Sequence, residues 1–182
     1  TGGSPTRRSS SRPTALCRVR LRLASRTPED RRKDGSVVHQ PVLLRETMEY
    51  LAPAPGQVVV DATVGSGGHA AAIVERIKPG GKLIGIDRDP EAIARAKERL
   101  AGEPVVLVND DYGRLEVILD RLGVAAVDGV LIDCGVSLEQ LKTAERGFSF
   151  MLEGPLDMRM DPRQETTAAT WRPTSSAAID DP

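Results

Sequence analysis

Cysteine is scarce: the 182 residues hold only Cys17 and Cys134, far apart and in dissimilar settings. A disulfide framework and any zinc-ligand spacing are thereby excluded, and a reducing compartment fits. Long apolar runs are missing too, none approaching the ~18 residues that a membrane span requires. Acidic residues are absent through position 28. What is present is globular in composition, 40% hydrophobic and 28% charged, and a single domain of this length buries on the order of 70% of its unfolded surface.

The net charge of -1 conceals an asymmetry. Residues 1–34 carry ten Lys and Arg against three Asp and Glu, which leaves fifteen against twenty-three for the rest. The basic arm, residues 1–36, is rich in Arg, Ser and Pro, has neither helical nor strand periodicity, and is expected to be disordered. Its composition suits a mitochondrial transit peptide or an RNA-binding tail, and equally the out-of-frame translation of GC-rich DNA, in which case it is not native. It therefore carries no functional weight.

From Val38 onward apolar runs alternate with amphipathic segments. Leu44, Met48 and Leu51 mark a helix that Pro53 stops. "QVVVDATV" (57–64) reads as a strand and "GHAAAIVERIK" (68–78) as a helix whose face is Ile73, Val74 and Ile77. "KLIGID" (82–87) is the second strand. Asp89 as N-cap, Pro90 at the first helical position and Glu91 in the first turn then start a helix. "VVLVND" (105–110) precedes "YGRLEVILDRLG", where Leu115, Leu119 and Leu122 share a side and Gly123 ends the helix. "VDGVLIDCG" (127–135) is the last strand. Continuous apolar strands joined by helices imply an α/β fold, a parallel sheet covered on both faces with right-handed crossovers. Ligands of such sheets sit beyond the carboxyl ends of the strands. The tips to inspect are Asp61–His69, Asp87, Asp110–Tyr112 and Asp133 onward. After Gly135 the regularity fails, and residues 136–162 read as a functional loop holding both phenylalanines of the chain.

"DATVGSGGHAAAI" answers to the strand-tip position. A glycine-rich turn between strand and helix lets a ligand approach the backbone and offers unpaired N–H groups to it. Gly65, Gly67 and Ala70 satisfy G-x-G-x-x-A, and Asp87 follows Gly65 by 22 residues, near the ~20 expected of a ribose-binding acid. The plain alternatives are a tight turn at the glycines and an aspartate that caps the next turn. A ribose-bearing cofactor is implied, either a dinucleotide or S-adenosyl-L-methionine. Asp61 and Thr63 place polar groups at the mouth of the site, and Asp61 suits an ammonium that a dinucleotide lacks; bonding to the loop's own N–H groups is its other reading.

"HQPVLLRE", "DATVGSGGHAAAI", "GIDRDPEAI", "DGVLIDCGVS" and "ERGFSF....GPLDMRMD" together resemble the bacterial 16S ribosomal RNA cytosine-N4 methyltransferase family over residues 38–171. The resemblance implies a Rossmann-like, class I S-adenosylmethionine-dependent methyltransferase fold with only the first four parallel strands present. It further implies N4-methylation of one cytosine in the decoding region of small-subunit rRNA. The partner would be that rRNA or the assembling 30S subunit, with neither DNA nor membrane involved. The compartment would be the cytoplasm, or the mitochondrial matrix if the basic arm is a transit peptide. Carried over by position, the cofactor contacts fall on Gly67, Gly68, His69, Asp87, Tyr112, Asp133 and Gln140, joined by Gly65 of the glycine turn. Packing at helix starts is the bland reading of His69 and Tyr112, and a solvated loop that of Gln140.

Asp133 is the expected catalytic residue, the acceptor for the N–H of cytosine N4. The base must be unpaired or flipped to reach it. Phe148 and Phe150 are candidates to stack on it, or else core residues of the loop. Arg146 and Arg159 are candidate phosphate contacts, or else solvated surface. The family usually reads Ser-Pro-Gln-Leu-Asp where this chain has Leu138-Glu139-Gln140-Leu141-Lys142, and Cys134 stands in place of a leucine. A thiolate role for Cys134 lacks an adjacent proline or cationic partner, so a small buried residue is expected. The domain organisation follows: arm 1–36, partial methyltransferase domain 37–162, and 163–182 as the start of a helical insertion that passes into an aberrant tail. Lacking the family's remaining strands, the chain is expected to fold weakly and to be inactive alone.

Overall fold

β1 (Val58–Asp61) and β2 (Lys82–Asp87) form the centre of a four-stranded parallel sheet ordered β3-β2-β1-β4. The computed structural model describes residues 41–171, all within the unit His39–Pro182; the basic arm and residues 172–182, with the readings placed on them, lie outside the described residues. β3 runs Val105–Asn109 and β4 only Gly129–Leu131. Both pair in parallel with the centre, β3 through Val105 opposite Leu83 and β4 through Val130 opposite Val60.

Side chains alternate across each central strand, so a strand can be apolar throughout only if both faces are covered. Val59 and Leu83 point into a layer with Ile73, Val74 and Ile77 of α2 (Gly68–Ile77) and Ala96 of α3 (Pro90–Arg99), next to Met48 of α1 (Leu44–Leu51). Val60, Ile84 and Ile86 point the other way, onto Ile118 of α4 (Leu115–Arg121), with Leu115, Leu119 and Leu122 around it. The α/β reading is borne out, as are the start and stop signals. Asp89 accepts from the Glu91 N–H to cap α3, and Gly123, at φ 67°, follows α4. Ile73 is fully buried. Ile73→Ala is expected to lower unfolding free energy by about 3 kcal/mol through lost burial and a residual cavity, read as a lower urea midpoint at unchanged slope.

The strand ends differ from expectation. β1 stops at Asp61 and not at 64, although Ala62 and Val64 still donate to Leu131 and Ile86. β4 is three residues long where nine were expected. Among the described residues it is an edge strand with no ladder beyond Leu131; Asp133 instead gives its N–H to the hydroxyl of Thr63, at 2.7 Å. Val130 and Ile132 are correspondingly exposed. The 136–162 loop contains a short helix α5 (Leu138–Lys142) and a 3-10 turn (Ala144–Arg146). Within 163–171 the backbone makes one turn at Thr167, whose carbonyl accepts from Trp171 N–H and whose hydroxyl accepts from Thr170 N–H.

Candidate active site

The chain leaves β1 on one side of the sheet for β2 and β3, then returns to the other side of β1 for β4. Strand order therefore reverses between β1 and β4, and their carboxyl ends splay into a cleft, as is general in open α/β sheets. Its volume is about 720 Å³, within the range of small-molecule sites. Gly65, Gly68, His69, Asp87, Tyr112, Asp133 and Gln140 all lie on its wall.

Gly65, at φ 52°, begins the turn in a left-handed conformation that costs glycine nothing. Its N–H donates to Asp87 Oδ2 at 2.8 Å, while Asp87 Oδ1 accepts from Asp89 N–H at 2.9 Å. One carboxylate thus braces the glycine turn of the first strand and the turn after the second, and both expected readings of Asp87 meet in it. Each oxygen retains a lone pair, since a carboxylate has about four acceptor sites. Burial lifts its carboxyl above the ordinary value, against the two N–H bonds that pull it down.

Gly67 is not on the wall. At φ 82° it caps α2, and a Cβ there would come within 3.3 Å of Leu100 in the C-terminal turn after α3. Its place is conformational, because a side chain is strained at this φ and would also press on the Leu100 side chain. Gly68 does reach the cleft, covered by Pro41, whose ring a Cβ would strike at 2.5 Å. Pro41 and Val42 are therefore wall residues, and the only sign of them in the sequence was membership of the "HQPVLLRE" motif. His69 is buried with Nδ1 3.7 Å from Asp133 Oδ2, and its Nε2 has no hydrogen-bond partner among the described residues. Tyr112 is exposed on the wall, its hydroxyl 3.9 Å from Cys134 Sγ.

Several expectations are corrected. Asp61 does not stand at the mouth: it is 1% exposed, behind the wall, and accepts from Thr63 N–H at 3.3 Å. Cys134 is exposed and lines the cleft, because past Leu131 no strand among the described residues covers it. For Gln140 it is the bland alternative of a solvated loop that fails: its amide is turned to Ser137 and Asp89. Arg146 is buried and committed to Asp89 and to the carbonyls of Arg159 and Met160, while Arg159 is paired with Asp157 and with the carbonyls of Pro162 and Gln164, so neither guanidinium is free for phosphate. The two phenylalanines part: Phe148 is buried and Phe150 fully exposed.

Asp61 has a pH signature. Burial, aided by the charges of Asp87 and Asp133 and only partly opposed by Thr63 N–H, pushes its carboxyl up to about 7. The unfolded chain releases that proton near pH 4, so between roughly pH 4 and 7 the folded state binds more protons than the unfolded one and stability falls as pH rises, by up to about 4 kcal/mol. The substitution Asp61→Asn keeps an acceptor oxygen for Thr63 N–H and loses the titration. The unfolding free energy read by urea between pH 5 and 8 should therefore fall more steeply for the wild type than for Asp61→Asn, in which the raised Asp87 carboxyl still titrates; parallel curves would refute the assignment.

A profile described as the MraW methylase family matches residues 36–178. The chain is 52% identical over 133 residues to a ribosomal RNA small subunit methyltransferase H of Symbiobacterium thermophilum, covering 72% of this chain and 42% of that protein. It is 49% identical over 150 residues to the protein of the same name from Nitratidesulfovibrio vulgaris, covering 81% and 46%. The chain thus spans less than half the length of these relatives. Among solved structures it overlaps TrmN from Thermus thermophilus at a TM-score of 0.44 and 22% identity, over 54% of this chain and 29% of that one. The profile and the sequence relatives agree with the methylase chemistry and the S-adenosyl-L-methionine expected from the motifs, and give no support to a dinucleotide. With the profile covering well over half of its residues, the chain belongs to the MraW methylase family.

Proposed function

We propose that the cleft binds S-adenosyl-L-methionine and that this chain carries the cofactor-binding part of an enzyme that methylates N4 of a cytosine in small-subunit rRNA. The observation that carries the reading is the meeting of three strand tips in one cleft: the glycine turn after β1, the Asp87 carboxylate after β2 and Asp133 after β4. The residues fit the donor. The wall offers lone pairs of Asp87 for a ribose diol, Tyr112 for an adenine face and bare backbone at Gly65 and Gly68 for the methionyl end. When bound, the donor's sulfonium supplies an electrophilic methyl group.

The chain's own part is placement and proton acceptance. Cytosine N4 is a poor nucleophile, since its lone pair is delocalised into the ring, and in-line approach to the methyl carbon accounts for much of the rate. Asp133, more than half exposed at the β4 tip, is open to the substrate side and accepts the N4 proton as the N–C bond forms, passing it to solvent. The base reaches it unpaired, and Phe150, fully exposed, is the remaining stacking candidate. The partner is small-subunit rRNA or the assembling 30S subunit, and the compartment the cytoplasm. Among the described residues the edge at β4 is short and open, with Val130 and Ile132 exposed, which supports the reading that the 182-residue chain alone does not turn over.

Two measurements test this. Calorimetric titration of the 182-residue chain should show S-adenosylmethionine binding and no NAD binding. A chain carried to the relatives' length should transfer a labelled methyl group to small-subunit rRNA, with mass spectrometry locating it on a cytosine amine. Transfer to carbon 5 or to another base would overturn the N4 assignment.

A further inference from the structure

We infer that Asp89 is the positioning residue of the cleft: through its buried carboxylate it holds Gln140 and the 137–160 segment in place as the wall opposite the glycine turn. Its two oxygens are divided. Oδ1 accepts from Glu91 N–H at 2.9 Å and caps α3. Oδ2 accepts from Gln140 Nε2 at 2.8 Å and from Arg146 at 2.9 Å, across 51 and 57 residues of sequence. Its N–H meanwhile goes to Asp87 Oδ1, so a single residue joins the brace of the glycine turn to the loop that follows β4.

The loop end of this network is closed. Gln140 Oε1 accepts from Ser137 N–H at 2.9 Å, Ser137 Oγ accepts from Gln140 N–H at 3.1 Å, and Met160 Sδ lies 3.5 Å from Gln140 Nε2. The orientation of the Gln140 amide therefore depends on having a pure acceptor at Asp89. Arg146 gives its other nitrogen to the carbonyls of Arg159 and Met160, at 3.1 and 3.0 Å, and its guanidinium lies 5.9 Å from the centre of the Phe148 ring. Asp89, Gln140 and Arg146 are only 1, 6 and 9% exposed, so water does not replace a lost partner. Burial raises the Asp89 carboxyl, but the bonds from Gln140, Arg146 and Glu91 N–H outweigh it and hold it below the ordinary value.

The cap and the clamp can be separated, because asparagine is as good an N-cap as aspartate. Asp89→Asn keeps α3 capped but turns an amide donor, or a neutral oxygen, toward two donors. The inference rests on the cleft being the S-adenosylmethionine site only for its affinity readout. The experiment combines calorimetric titration of the full 182-residue chain with S-adenosylmethionine and amide hydrogen exchange. Asp89→Asn should speed exchange in residues 137–160, leave β1 to β3 protected as in the wild type, and weaken binding by about tenfold or more, as expected for a buried charge-assisted bond. Gln140→Ala should weaken binding by a comparable factor, and the double variant Asp89→Asn/Gln140→Ala should lose no more than the worse single change, because the two act through one bond; residues that reached the cleft by independent routes would give additive losses. Unchanged exchange in 137–160, or additive affinity losses, would overturn the inference. If the wild type binds no S-adenosylmethionine while Asp89→Asn still frees the segment, the clamp stands and the cofactor reading fails.

Discussion

In a chain carried to the length of its relatives, Asp133→Ala is expected to slow methyl transfer by roughly a thousandfold while S-adenosylmethionine affinity changes by less than about tenfold, the scale of losing a positioned proton acceptor. The geometry supports this split. The main chain at Asp133 is held by its own N–H on Thr63 Oγ1, which the substitution leaves in place. The side chain is more than half exposed, and His69 Nδ1 lies 3.7 Å from its Oδ2, beyond hydrogen-bond length. Removing it therefore orphans no tightly bonded buried group, and the cost falls on the reacting amine. Asp133→Asn sharpens the test, since it preserves volume and an acceptor oxygen but cannot take up a proton. If the carboxylate acts as the base, Asn should be nearly as slow as Ala; single-turnover rates at saturating donor would show it. Near-normal turnover in Asp133→Ala would remove the residue from the mechanism.

The legible parts of the fold are those whose burial is decided locally. β2 could be read to its ends because its interior, Leu83 to Ile86, is apolar and covered on both faces, while the charged Lys82 and Asp87 mark its limits. The start of α3 could be read because Asp89, Pro90 and Glu91 each answer to one position of a helix N-terminus. The gathering of Gly65, Asp87 and Asp133 in one cleft follows from topology, since parallel strands present their carboxyl ends on a common side. What escaped was non-local. Apolar text continues beyond Leu131, but a strand lasts only as long as it has a partner, and past Leu131 β1 has turned away into the glycine loop. Arg146 sits among charged residues and reads as surface; its burial depends on Asp89, 57 residues earlier. Asp61 reads as a group at the mouth because it ends a strand, yet the wall that hides it is built by other elements. Asp89 was visible as a cap on one oxygen, while the use of its second oxygen has no local signature.

Asp87→Ala is expected to raise the dissociation constant for S-adenosylmethionine about a hundredfold or more, the scale of losing two hydrogen bonds to a charged acceptor. It is also expected to cost about 2 kcal/mol of stability, because Gly65 N–H and Asp89 N–H lose their acceptor at the same time. These two effects are entangled in the affinity of one ligand, and a second ligand separates them. A donor analogue lacking the ribose 2′-hydroxyl should bind the wild type markedly more weakly than the parent compound. Asp87→Ala should bind both alike, since the group that told them apart is gone, whereas a loop that has merely sagged would weaken both and keep their ratio. Carrying out the four titrations at a urea-free temperature well below the variant's melting point keeps unfolding out of the comparison. A folded Asp87→Ala chain that still distinguishes the two compounds would place the ribose elsewhere in the cleft and leave Asp87 as the brace between the turns after β1 and β2.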